Sequence, residues 1–135
     1  MAFTLHGTIG NTGPRIAIQV AGPQAASAPQ TPGINCLVDT GASRTAISPA
    51  VMTTLGLPPI GGPPAPVVTA GGTLRAAEYN VSLWAVGAAA NQIASIIRVV
   101  GIAPHGCVAL IGQDVLKLCV LSHNGLNGTF QLNFP

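Results

Sequence analysis

A chain of 135 residues is long enough for one folded unit and short for two of ordinary size. Hydrophobic residues make up 48% of it, which supplies a core and argues against global disorder. Charged residues are only 6%, with five bases, three acids and no basic run behind the net charge of +2, so electrostatics gives no reason to expect a nucleic-acid partner.

The first residues read as strand: Phe3, Leu5 and Ile9 roughly alternate with polar or small residues, and Arg15 to Val20 alternates again. Gly10-Asn11-Thr12-Gly13 between them is turn chemistry, which predicts an antiparallel pair. Residues 22–33, rich in Pro, Ala, Ser and Gln, read as an exposed loop and not as a domain boundary, since too little chain precedes them to fold alone. Ile34 to Val38 is a short apolar run suited to a buried strand, and it ends abruptly in Asp39-Thr40-Gly41-Ala42-Ser43.

Ser48-Pro49, the stretch AVMTTL and Gly56 carry the punctuation of a short helix: a capping serine, a first-turn proline and a closing glycine. Five prolines between Pro58 and Pro66 make the next segment irregular. From Val67 the chain returns to strand, passes Ala70-Gly71-Gly72-Thr73 and runs to Val86, with Tyr79, Val81 and Leu83 on one face, which predicts a hairpin over 67–86. The apolar stretch that follows is broken by Asn91, Gln92, Ser95 and Arg98, short of the roughly 18 residues a membrane-spanning helix needs. Ile96 to Ile102 and Val108 to Ile111 are further β-branched runs, and Gly112-Gln113-Asp114 opens a short helical stretch. Asn124-Gly125 and Asn127-Gly128 are turn dipeptides before a closing strand, Thr129 to Phe134, with Phe130, Leu132 and Phe134 on one face. The expectation is one all-β domain over residues 1–135 with one or two short helices. With no signal sequence or membrane segment in view, the expected compartment is cytoplasmic.

Cys36, Cys107 and Cys119 cannot all pair within one chain and form no CxxC, so they read as thiols in a reducing compartment. His105, Cys107, Cys119 and His123 match no common zinc spacing, and no cofactor or metal is expected. A Cys107–His105 nucleophile would need an orienting third group that nothing in the sequence predicts. The shortage of acids is more telling: only Asp39, Glu78 and Asp114 are available for carboxylate chemistry.

Asp39 is the residue that needs explaining. An acid at the end of an apolar strand sits beside the core, where desolvation is costly unless it is compensated. Thr40 offers a hydroxyl, and Gly41 lets backbone amides approach a carboxylate closely. Leu37 to Ser43 (LVDTGAS) resembles the active-site loop of the single-domain, retropepsin-like aspartic proteases. Ala109 to Leu116 (ALIGQDVL) is similar to the second signature of that group, an apolar strand entering Gly-x-(Asp/Asn) and a short helix. Ala70-Gly71-Gly72 and the strand bearing Tyr79 look like its flap, and Gly128 to Phe134 looks like its last strand.

The resemblance implies a closed β-barrel or sandwich with a flap hairpin, and peptide-bond hydrolysis. It implies two carboxylates roughly 3 Å apart sharing one proton, one acting as base on water while the other polarises the peptide carbonyl. Asp39, with Thr40 and Gly41 around it, is the implied catalytic group. This chain has a single Asp-Thr-Gly, so the second Asp39 would come from a second copy across a two-fold axis.

An extended peptide or protein substrate would lie between flap and floor as an added strand, touching Ala42, Ser43, Gly71, Gly72 and Ile111, with the Val67-Val68 arm as a further wall. Gly71-Gly72 has a plainer reading as a tight turn. Asp114, at a helix N-terminus, is read as structural in the resembled group, and a structural ion pair between Arg44 and Asp114 is expected. That pair would stand in for the Arg that relatives often have where this chain has Gln113. The alternative to an enzyme is a retropepsin-like module that binds peptides or dimerises without turnover, although such a module has no need for two desolvated acids face to face.

Overall fold

The structure, a computed structural model, describes residues 2–29, 32–69, 71–86, 91–103 and 107–135. Its first hairpin is the expected one: β1 (Phe3–Gly10) meets β2 (Gly13–Ala21) with Gly10 opposite Gly13, leaving Asn11 and Thr12 as the loop. Gly13 has φ +106°, a backbone conformation that a side chain would strain, so the turn depends on glycine there.

β2 is long enough to serve three neighbours. Its first residues pair with β1, the middle with β3 (Ile34–Val38), and Ile18 to Ala21 with β7 (Glu78–Ala85). From β3 the sheet continues through β9 (Ala109–Ile111), β4 (Ala46–Ile47), β8 (Gln92–Val100) and back to β7. The β2–β7 pairing closes this into a six-strand barrel, parallel at β3–β9 and β4–β8 and antiparallel elsewhere. Closure hides edges that an open sheet would expose. Inside lie Ile16, Ile18, Val38, Ile47, Val81, Leu83, Val99 and Ile111, the alternate residues of strands whose side chains point inward.

β10 (Val120–Asn124) and β11 (Thr129–Phe134) extend the sheet outward from β1, with Phe3 opposite Phe134 and their rings stacked at 4.9 Å. Phe130, Leu132 and Phe134 are buried, as the alternation predicts. In the turn between these strands Asn124 Oδ1 accepts from the amides of Leu126 and Asn127.

α1 (Pro49–Leu55) has its expected caps: Ser48 accepts from the amide of Ala50, and Gly56 sits at φ +70°. Its Met52 is fully buried in the core. α2 (Gln113–Leu116) follows β9 and buries Val115 and Leu116. No helix among the described residues is long and apolar enough to cross a membrane.

One element differs from expectation. The arm read as continuous from Thr73 to Val86 is broken at Ala77. β5 (Ala65–Thr69) and β6 (Gly72–Ala76) form a separate two-stranded sheet, while β7 belongs to the barrel. Burial explains the break. Residues 72–75 are exposed, whereas from Tyr79 onward both faces are largely covered, so one straight strand cannot suit both surroundings. The Ala77 carbonyl accepts from the Gly101 amide at 2.8 Å, pinning the change of direction.

Cys36 is fully buried inside the barrel wall, and burial pushes its thiol from 9.0 up to about 12. A raised folded-state pKa means the neutral thiol stabilises the fold fully below pH 9.0, and this contribution is lost as pH rises from 9.0 through about 12. Chemical denaturation at neutral pH and at about pH 10.5 is expected to show wild type losing stability with a steeper slope than Cys36→Ala. Parallel slopes would mean that Cys36 does not titrate with unfolding.

Candidate active site

β3 and β9 run parallel with Val38 beside Ile111, and the next amide, that of Asp39, donates to the Ile111 carbonyl at 3.0 Å. The ladder therefore carries Asp39 to the rim of the barrel before the chain turns. There the Gly41 amide donates to Asp39 Oδ1 at 2.9 Å, and the Ala42 amide to the Asp39 carbonyl at 3.2 Å. A Cβ on residue 41 would come within 3.2 Å of that same Oδ1 and crowd it, a tight contact that glycine avoids. The carboxylate is half-buried.

The loop after Asp39 is fastened to β9 and α2 by a set of short bonds. Thr45, fully buried, donates through its amide to Asp114 Oδ2 at 2.9 Å and through its hydroxyl to Asp114 Oδ1 at 2.7 Å. The same hydroxyl accepts from the Gly112 amide at 3.2 Å. Gln113 adds two more, from its amide to the Ala42 carbonyl at 2.8 Å and from Nε2 to the Thr40 carbonyl at 2.7 Å. Gly112 itself is squeezed: a Cβ there would lie 2.6 Å from the backbone carbon and oxygen of Arg44. Its own φ of −104° suits any residue, so the need for glycine comes from the neighbouring backbone.

The expected Arg44–Asp114 ion pair is not formed. Arg44 Nη2 meets Glu78 Oε2 at 2.6 Å instead, and Arg98 Nη1 stands 4.0 Å from Glu78 Oε1. Thr45 takes Asp114, while Arg44, in the bend before β4, reaches Glu78 of β7. Thr45 and Glu78 were the contributors missed from sequence. Glu78 had a usable signal, since in a chain with three acids each one has a nearby base or donor to satisfy it. Thr45 had none.

Asp39, Gly41, Ala42, Ser43 and Arg44 form one side of a cleft of about 610 Å³. Facing them is β5, through Pro66, Val67, Val68 and Thr69; Val100, Ile102 and Leu110 add an aliphatic wall. Ile111, expected in that wall, is 2% exposed and belongs to the barrel interior. Its neighbour Leu110 faces the cleft instead, a one-residue shift that reverses direction on a strand. Gly71 and Gly72 lie at the β5–β6 tip and not on the cleft wall, with Thr69 opposite Gly72 and its hydroxyl donating to the Gly72 carbonyl at 2.8 Å. Gly72 has φ +121°, so the turn requires it. Thr40 is exposed beside Asp39.

A second groove of about 420 Å³, between α1 and the β2–β3 side, is lined by apolar groups with Ser48 and Thr54, with no titratable side chain among the described residues that line it. Ala70 and His105 lie outside the described residues. Among the described residues no group of three His, Cys, Asp or Glu is placed to hold a metal ion.

The curated proteins contain no significant match to the chain. Solved structures do. A retropepsin-like aspartic protease from Rickettsia conorii superposes with a TM-score of 0.64 at 19% identity, over 99% of this chain and 92% of the other. EIAV protease, in complex with the inhibitor HBY-793, superposes with a TM-score of 0.53 at 19% identity, over 77% of this chain and 85% of the other. The fold is thus retropepsin-like. The sequence family described as "gag-polyprotein putative aspartyl protease" matches residues 30–118, a stretch that includes β3 through α2. That stretch holds the Asp39 loop, the β5–β6 hairpin and the Gly112–Asp114 anchor together, and the chain belongs to this family of aspartic proteases.

Proposed function

We propose that the chain is an aspartic endopeptidase in which two Asp39 carboxylates, one from each copy of a homodimer, share a proton and activate water against a peptide carbonyl. The observation that carries this reading is the position of Asp39: it follows directly on a strand whose Cys36 and Val38 are buried, accepts the Gly41 amide and opens into the cleft. Two such groups brought face to face cannot both ionise, which leaves one as base and one as acid. Thr40 and Gly41 would hold the loop around the pair, Ala42 and Ser43 would contact substrate backbone, and no cofactor or metal takes part.

The β5–β6 hairpin would act as the flap, with Gly71 and Gly72 as its pliable tip, covering an extended peptide and excluding water. Residues 1–135 would work as one domain. A shared proton also sets the pH profile, which should be bell-shaped because the pair needs one charged and one neutral member.

The test is cleavage of a mixed peptide library by wild type and by Asp39→Asn. The variant is expected to lose about 10³-fold in rate while keeping its circular-dichroism spectrum. Equal rates in both proteins, or retention of peptides without cleavage by either, would remove the endopeptidase reading.

A further inference from the structure

Arg44 is the cationic side chain among the described residues that line the cleft with Asp39. Its guanidinium is secured on one side only. Both of its hydrogen bonds leave from Nη2, to Glu78 Oε2 at 2.6 Å and to the Arg98 carbonyl at 3.3 Å. The hydrogens on Nε and Nη1 take no acceptor within the described chain, and the side chain remains 35% exposed. Glu78 is shared, since the Arg98 guanidinium also approaches it at 4.0 Å. Glu78 thus divides its charge between two guanidinium groups, and Asp39 is the one acid among the described residues that line the cleft.

The spare hydrogens on Nε and Nη1 are charge-assisted donors, each suited to one oxygen of a carboxylate. Glu78 holds the guanidinium in place beforehand, which lowers the ordering cost of binding. The adjoining wall of Val100, Ile102 and Leu110 is aliphatic, so a charge pair formed here is less screened than one in open water. We propose that Arg44 selects peptide substrates with an acidic side chain a short distance from the scissile bond, next to an aliphatic one. The proposal rests on the endopeptidase reading for its substrate class and adds a charge preference to it. Arg44 is thereby a specificity-determining residue and not a mere anchor for β7.

The test uses peptides with one fixed aliphatic pair and a single Glu, Gln or Lys moved along the neighbouring positions. Each is measured for kcat and KM with wild type, and for affinity with Asp39→Asn at low and high salt. One position is expected to favour Glu over Gln by about tenfold, in KM and in affinity, with the preference shrinking as salt rises. Arg44→Gln should bring that ratio to about one, and Arg44→Glu should turn it toward Lys. Glu78→Gln, which removes the competing carboxylate, should raise the Glu preference. A purely structural Arg44 would change all peptides alike.

The peptide series on the unaltered protein already decides whether a preference exists, even if an Arg44 variant folds poorly. Cleavage of Glu, Gln and Lys peptides at equal rates overturns the proposal and leaves the endopeptidase reading intact, as does a Glu preference that survives Arg44→Gln. Glu-selective binding without turnover does the reverse. No binding and no cleavage of any peptide overturns both.

Discussion

Asp114→Ala is expected to lower stability by about 3–5 kcal/mol and to abolish measurable peptide cleavage. The carboxylate takes two hydrogen bonds from Thr45, and bonds to a charged acceptor are worth about 1.5–3 kcal/mol each. Deleting it leaves an amide and a hydroxyl without these bonds at a fully buried residue. Thr45 follows directly on the cleft residues 41–44, so the loop bearing Asp39 loses its anchor together with the fold. Urea unfolding monitored by Trp84 fluorescence gives the first number, and a peptide assay gives the second. Asp114→Asn keeps one carbonyl acceptor and should fall between the two. An alanine variant as stable as wild type would show that the Thr45 contacts contribute nothing.

Gly112→Ala should do comparable harm by another route. A new Cβ would stand 2.6 Å from the Arg44 backbone carbon and oxygen and 3.0 Å from the Ala42 carbonyl. Backbone atoms cannot step aside as a side-chain tip can, so the loop or α2 must move. Overpacking of this kind costs about 1–3 kcal/mol. The larger effect falls on catalysis, because a displacement of about 1 Å in a reacting group can lower a rate by about 10²-fold. The discriminating control is Gly10→Ala, where an added methyl meets nothing within 4 Å. Unfolding midpoints and kcat/KM for both variants decide the matter; equal behaviour would show that the contact at Gly112 is soft.

These expectations draw on features that were unevenly visible in the chain itself. Local chemistry spoke clearly. Asn11-Thr12 between glycines gave the first hairpin, Ser48, Pro49 and Gly56 bounded α1, and the apolar run into Asp39 placed the acid at a strand end. Each of these is decided within a few residues by turn, cap or alternation physics.

What was hidden depends on contacts across long separations. β4 is two residues long and exists because β9 and β8 flank it. The break at Ala77 is set by the Gly101 amide and by the change from open to covered surroundings. Arg44 and Glu78 are 34 residues apart, and only the folded barrel brings them together. Leu110 and Ile111 have the same composition and volume, so which one faces the cleft is a matter of register that composition cannot reveal.

The pairing of β1 with β11 inside one polypeptide has a consequence for assembly. Phe3 stacks on Phe134 and the ladder from Phe3 to Thr8 is complete without help from a neighbour. In the proposed homodimer a second copy would therefore not be needed to pair β1 with β11. Were two copies to join as proposed, a compound that pried them apart would be expected to cost the pair its chemistry while sparing the β1–β11 ladder of each.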